Sequence, residues 1–155
     1  MEEKGKTIAS TPVKFRWREK TILIVEDVRT NHMLIDRILR RTSAKLLWAM
    51  DGEKAVEMAK NYDNIDLILM DIRLPKMNGY DATREIRKFR KDVPIIAQTA
   101  YVLPEEKGKV LEVGCDDLLT KPIKKNQLLA TVSKYIDKDK HEQFINFLKN
   151  AGQQQ

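Results

Sequence analysis

Ile65-Asp66-Leu67-Ile68-Leu69-Met70-Asp71-Ile72-Arg73-Leu74-Pro75-Lys76-Met77-Asn78-Gly79 is the stretch that decides the fold. An apolar run of strand length closes on a carboxylate, and a segment rich in turn formers follows at once. An ionised carboxylate after a buried strand is costly unless something pairs with it. The partners stand at the ends of three other apolar runs. Glu26 and Asp27 follow Ile22-Leu23-Ile24-Val25, Thr99 follows Ile95-Ile96-Ala97-Gln98, and Lys121 follows Leu118-Leu119-Thr120. Together they form a constellation suited to a divalent cation and to a phosphoryl group carried on Asp71.

Working outward, strands are expected at 21–25, 45–49, 66–70, 94–98 and 117–120. These runs are nearly continuous rather than alternating, which signals burial on both faces and hence a parallel sheet. Between them the apolar residues take helical spacing: Leu34, Ile35, Ile38 and Leu39; Ala55, Val56, Met58 and Ala59; Ala82, Ile86 and Phe89; Val110, Leu111 and Val113; Leu128, Leu129, Val132, Tyr135 and Ile136. Asp51 and Asn78 are placed as N-caps, and Pro104 suits a first helical turn. The third helix is expected from about Gly79 to Phe89. Five strands alternating with five helices make an α/β domain. Gly79 and Gly114 are read as backbone devices at helix ends, and Trp48 as core or sheet-edge packing.

Residues 1–19 lack helical periodicity and read as a linker or flexible arm, with Val13, Phe15 and Trp17 alternating with cations where it meets the domain. The domain spans 20–137. Phe144, Ile145, Phe147 and Leu148 lie on one helical stripe, so 138–155 reads as a helical extension with a frayed tail.

The length of 155 residues suits one domain with a core. The net charge of +6 raises nucleic acid as a ligand. Half of that excess, however, lies in the first twenty residues, and the rest is spread without a dense basic helix or interleaved aromatics. Direct nucleic-acid binding is not expected. Cys115 is the one cysteine, which excludes an internal disulfide and fits a reducing compartment. No apolar stretch approaches membrane-spanning length, and no signal-peptide core is present at the start. The expected location is the cytoplasm, with no membrane contact by this domain.

In an open parallel sheet, ligands bind beyond the carboxyl ends of the strands, where strand order reverses. With order 2-1-3-4-5 the reversal lies between strands one and three, where Glu26, Asp27 and Asp71 meet. Two like charges ~4 Å apart repel by about 4 kcal/mol at an effective dielectric of ~20. Three carboxylates therefore call for a cation, and hard oxygen ligands with water select Mg²⁺. Lys121 offers a compact positive charge to a phosphoryl oxygen, Thr99 offers a hydroxyl, and Asp71 is the nucleophile.

These residues resemble the receiver domain of bacterial two-component response regulators, over about residues 20–137. The resemblance rests on Ile22-Leu23-Ile24-Val25-Glu26-Asp27, Leu69-Met70-Asp71 through Asn78-Gly79, Pro94-Ile95-Ile96-Ala97-Gln98-Thr99-Ala100 and Leu119-Thr120-Lys121-Pro122. It implies a flavodoxin-like (βα)5 fold that accepts a phosphoryl group from a phosphohistidine onto Asp71. It also implies Mg²⁺ held by Asp27, Asp71 and the backbone carbonyl of Arg73, with Glu26 acting through water. Thr99 and Ala100 join Lys121 around the phosphate, and the Lys121–Pro122 bond is expected to be cis. Arg73 and Tyr101 occupy positions that tune access of water to the acyl phosphate.

Two positions depart from the family pattern. Glu26 stands where Asp is more common, and Leu118 stands where an aromatic ring usually swings inward on phosphorylation. The implied partners are a histidine kinase or a histidine phosphotransfer domain, and a homodimer through the face of helix four, strand five and helix five. Trp17-Arg18-Glu19-Lys20-Thr21 and Thr99-Ala100-Tyr101 resemble the C-terminal receiver of hybrid sensor histidine kinases, a setting that would make this the cytoplasmic portion of a membrane-bound sensor. On this reading the chain is not an enzyme beyond its own phosphotransfer and autodephosphorylation. A phosphatase of the haloacid dehalogenase type would want a second Asp where Arg73 stands. A receiver-like interaction module that is never phosphorylated would usually lack one of Asp71, Thr99 and Lys121. A histidine kinase core would need more than His32, read as exposed, and His141, read as a tail residue.

Overall fold

The computed structural model describes residues 12–100 and 103–153. The strands are β1 (Thr21–Val25), β2 (Lys45–Ala49), β3 (Leu67–Asp71), β4 (Ile95–Thr99) and β5 (Asp117–Thr120). All pair in parallel, in the order β2-β1-β3-β4-β5. The three central strands are buried along their whole length, as their continuous apolar runs require, whereas β2 and β5 are half-exposed edges. β3 and β4 each run one residue later than expected from sequence. Pro94 has no N–H to give, although its carbonyl still accepts from Ile68 N at 2.9 Å. At the far end, pairing continues to Asp71 and Gln98. Asp71 and Thr99 are therefore the last residues of their strands, held by the ladder itself.

The helices are α1 (Arg29–Arg40), α2 (Gly52–Asn61), α3 (Gly79–Arg87), α4 (Pro104–Glu112), α5 (Lys125–Ile136) and α6 (Lys138–Gln153). Asp51 caps α2 through Lys54 N, and Asn78 caps α3 through Asp81 N, at 2.8 and 3.0 Å. α3 stops short of Phe89, which is exposed. Two arginines turn the chain there: Arg87 donates to the carbonyls of Val93 and Gly114, and Arg90 to those of Tyr62 and Ile65. In α4 only Val110 is buried, and Leu111, expected as a contact, faces solvent.

The sheet separates two cores. One packs Ala55, Met58, Ala82, Ile86 and Val110 of α2, α3 and α4 against Leu23, Ile68, Met70 and Ala97. The other packs Ile35, Leu39, Leu128 and Val132 of α1 and α5 against Ile22, Ile24, Leu69 and Ile96.

The second core extends beyond the five-helix domain. Phe15 and Trp17 are buried in it, 4.8 Å apart between ring centroids, and Phe15 meets Phe144 of α6 edge-on at 5.2 Å. Trp17 Nε1 donates to Asp137 Oδ2 at 2.8 Å, and Trp17 N donates to the Thr42 carbonyl at 2.7 Å. Asp137 leaves the helical region at φ −154° and ψ 71°, so α6 is a separate helix rather than a continuation of α5. His141 is tied back to Ser133 Oγ at 3.0 Å, and His32 stacks on Trp48 at 3.5 Å between centroids, so neither is a free surface group. The arm and α6 thus brace one face of the domain. Replacing Phe15 with Ala should destabilise the domain by about 3–5 kcal/mol. An unchanged urea midpoint would show that the aromatic contact is not held in solution.

Candidate functional site

Each group at the site is delivered by the end of a strand. Val25 pairs with Met70, so the next residues, Glu26 and Asp71, leave their strands side by side. Glu26 is fully buried and Asp71 nearly so, at 2% exposure. Asp27 follows on the loop, and carboxylate oxygens of Glu26, Asp27 and Asp71 lie within 4.8 Å of one another. Lys121, two residues past Leu119, reaches across to them. Its Nζ donates to Asp71 Oδ2 at 2.8 Å and lies 3.2 Å from Glu26 Oε1, close enough for an ion pair but not aligned as a hydrogen bond.

Two backbone amides complete the arrangement. Arg73 N donates to Asp71 Oδ1 at 3.1 Å, and Val28 N donates to Glu26 Oε2 at 3.1 Å. Burial, reinforced by the adjacent Asp71, pushes the Glu26 carboxyl up to about 7, against the pull of the Val28 N–H and of Lys121. For Lys121, burial works against the charged form, but the Asp71 hydrogen bond and the two carboxylate charges outweigh it and hold the ammonium above its ordinary range.

The donor set fits a hard divalent cation. It is all oxygen, and Asp27 Oδ1 is buried without a hydrogen-bond partner among the described residues. An uncompensated carboxylate oxygen in that position is expensive in a metal-free protein and accounted for in a metal-bound one.

The remaining expected residues fall around this centre. Thr99 ends β4, buried at 1% exposure, and its carbonyl accepts from Lys121 N at 2.8 Å, which places the lysine. The Lys121–Pro122 peptide is cis. Ala100 is exposed just beyond Thr99, and Tyr101 lies outside the described residues. Leu118 is half-buried against the core beneath α2, α3 and α4, on the sheet face opposite Lys121.

Gly79 was read from the sequence as a backbone device at a helix start, but the close approach it serves, and the parts played by Gly52 and Lys76, were not. Gly79 lies against the end of β3: a Cβ there would stand 2.2 Å from the Asp71 carbonyl and 2.7 Å from Ile72 Cα. Gly52 plays the same part for the loop after β3, since a Cβ would meet the Met77 carbonyl at 2.0 Å. Lys76, at φ 64°, takes the left-handed turn between them. Contacts between distant segments set these requirements, so no local pattern reveals them.

The model of the response regulator receiver domain family matches residues 22–133. The chain belongs to that family. It is 38% identical over 134 residues to the aerobic respiration control sensor protein ArcB of Escherichia coli, covering 84% of this chain and 17% of that protein. Across the curated relatives it matches first, the chain spans 8–17% of their length.

Among solved structures, it is similar to the receiver domain of sensor histidine kinase PA1611 from Pseudomonas aeruginosa, which has a magnesium ion coordinated in its active-site cleft. That match has 39% identity and a TM-score of 0.71, covering 76% of this chain and 97% of that one. It is also similar to a chain in the co-crystal structure of the Saccharomyces cerevisiae phosphotransfer protein Ypd1 with the receiver domain of the response regulator Ssk1. The identity there is 31% and the TM-score 0.70, over 81% of this chain and 90% of that one. This chain is thus a receiver domain of the two-component phosphorelay type, a signalling domain with the flavodoxin-like fold.

Gly79→Ala should be among the most disruptive single changes at the site, because its methyl group meets backbone rather than a movable side chain. A loss of at least about 1–3 kcal/mol is expected from such overpacking. Wild-type urea unfolding of this variant would contradict the close approach.

Proposed function

We propose that Asp71 is the phosphoacceptor and that the domain takes its phosphoryl group from a phosphohistidine. The observation that carries this reading is the buried Asp71 carboxylate, held by Lys121 Nζ and Arg73 N within reach of two further acids. A carboxylate oxygen of Asp71 attacks phosphorus. The phosphorus–nitrogen bond of the donor breaks, and the imidazole leaves with its electron pair and takes up a proton. Lys121 then turns its charge from the carboxylate to a phosphoryl oxygen, and the Thr99 hydroxyl donates to another. Arg73 N keeps the carboxyl group oriented throughout.

Glu26, Asp27, Asp71 and the carbonyl of Arg73 are the groups to hold Mg²⁺. When bound, it supplies the positive charge that the carboxylates and phosphoryl oxygens need beside one another. The similarity to sensor kinases and to a receiver crystallised with a phosphotransfer protein supports a histidine kinase or phosphotransfer domain as donor, and a place on the cytoplasmic side. No helix among the described residues is long and apolar enough to cross a membrane. Because Leu118 has no aromatic ring to swing inward, the domain switches or relays the signal through Thr99, with a conformational shift that is smaller or differently routed. The homodimer face of α4, β5 and α5 belongs to the same proposal.

Incubation with acetyl phosphate and Mg²⁺ should add one phosphoryl group by intact mass, and Asp71→Asn should abolish it. Equal uptake by the variant would move the acceptor elsewhere. In a Mg²⁺ titration, Asp27→Ala should weaken binding more than Glu26→Gln, since Asp27 offers an unengaged oxygen while both Glu26 oxygens already face Val28 N and Lys121. The reverse order would exchange their roles.

A further inference from the structure

Gln98 is a buried polar residue beside the site that the reading above leaves without a task. It is fully buried on β4, and neither Oε1 nor Nε2 has a hydrogen-bond partner among the described residues. An amide in that state weakens the fold, and a leucine or methionine would fill the same space without the loss.

Its position in the sheet shows what the amide faces. Register sets Gln98 between Asp71 on β3 and Leu119 on β5, and alternation turns it to the same sheet face as Ile96 and Leu69, the face of α1 and α5. Lys121 lies two residues past Leu119, so it leaves β5 on that same face. To reach Asp71 and Glu26 it must pass over the end of β4, and the residue on that face there is Gln98. The ammonium has three N–H groups, of which one is given to Asp71 Oδ2, while Glu26 Oε1 is held only as an ion pair at 3.2 Å.

We propose that Gln98 is a positioning residue for phosphoryl transfer: its carboxamide oxygen accepts from the Lys121 ammonium as that group moves from the Asp71 carboxylate to the phosphoryl oxygen. The proposal rests on Asp71 as the acceptor. Before transfer, the Asp71 hydrogen bond and the Glu26 charge together hold Lys121. Once Asp71 is an acyl phosphate its charge is gone from the carboxyl oxygen and its hydrogen bond to the ammonium is lost. A neutral acceptor close to the strand ends, beside the Glu26 charge, then keeps the ammonium's aim. An unpaired amide beneath its path, costly in the resting fold, is suited to that moment.

The test compares wild type with Gln98→Met, which keeps length and removes the amide. The variant should unfold at a higher urea concentration than wild type, yet take up the phosphoryl group from acetyl phosphate and Mg²⁺ about tenfold more slowly, the loss expected for one hydrogen bond to a charged group. Independently, the wild-type Gln98 side-chain amide resonance, assigned by its absence in the variant, should shift when beryllofluoride and Mg²⁺ mimic the phosphoryl group. A more stable variant with a wild-type uptake rate, or an unmoved resonance in the mimic-bound protein, overturns the role of Gln98 and leaves Asp71 standing. Failure of wild type itself to take up the group overturns both.

Discussion

Two carboxylates that cannot both stay charged and buried unaided, Glu26 and Asp71, sit against a single ammonium, that of Lys121. Most of the architecture serves to bring that trio together. Parallel pairing makes Glu26 and Asp71 neighbours, and the Thr99 carbonyl fixes the backbone from which Lys121 reaches them. One positive charge against two negative ones, with Asp27 adding a third, leaves a net negative centre in a desolvated setting. Burial first, and then the adjacent Asp71, drive the Glu26 carboxyl up to about 7, and an all-oxygen centre of this charge fits a hard divalent cation.

The rest of the fold divides between holding this centre still and connecting it outward. On one face, α1, α5, α6 and the aromatic pair Phe15 and Trp17 form a braced layer beneath Lys121. On the other, α3 begins directly on the Asp71 backbone at Gly79, and the next residue, Tyr80, hydrogen-bonds Glu106 of α4, with Lys109 over its ring at 4.4 Å. α4 buries only Val110, so its attachment to the domain is slight. β3, which ends on Asp71, is thus joined to a firmly packed layer on one side and, through α3, to a helix with a single buried residue on the other.

The strands and the residues at their ends were legible because they depend on local patterns: continuous apolar runs, caps at Asp51 and Asn78, and polar residues closing each run. The strand order belongs to the flavodoxin-like fold that the family resemblance implied. The ends of α3 and the setting of α6 were less so. Phe89 continues the helical spacing, but the carbonyls gathered by Arg87 and Arg90 end the helix first. Likewise Trp17 and Asp137 are 120 residues apart, and no window of sequence reveals their hydrogen bond. Within the site, the carboxylates and Lys121 declared themselves by type and place. Gly52 did not, and Gly79 was read only as a helix start, because what makes each of them matter is a backbone contributed by another strand or loop.

The central claim is that the charge-crowded strand end at Asp71 is where phosphorus becomes attached. Borohydride reduction after phosphorylation converts an aspartyl phosphate to homoserine, and peptide sequencing by mass spectrometry locates it. Homoserine at position 71 alone is the predicted result. Homoserine at any other acid, or a phosphorylated chain with Asp71 intact, would contradict the account.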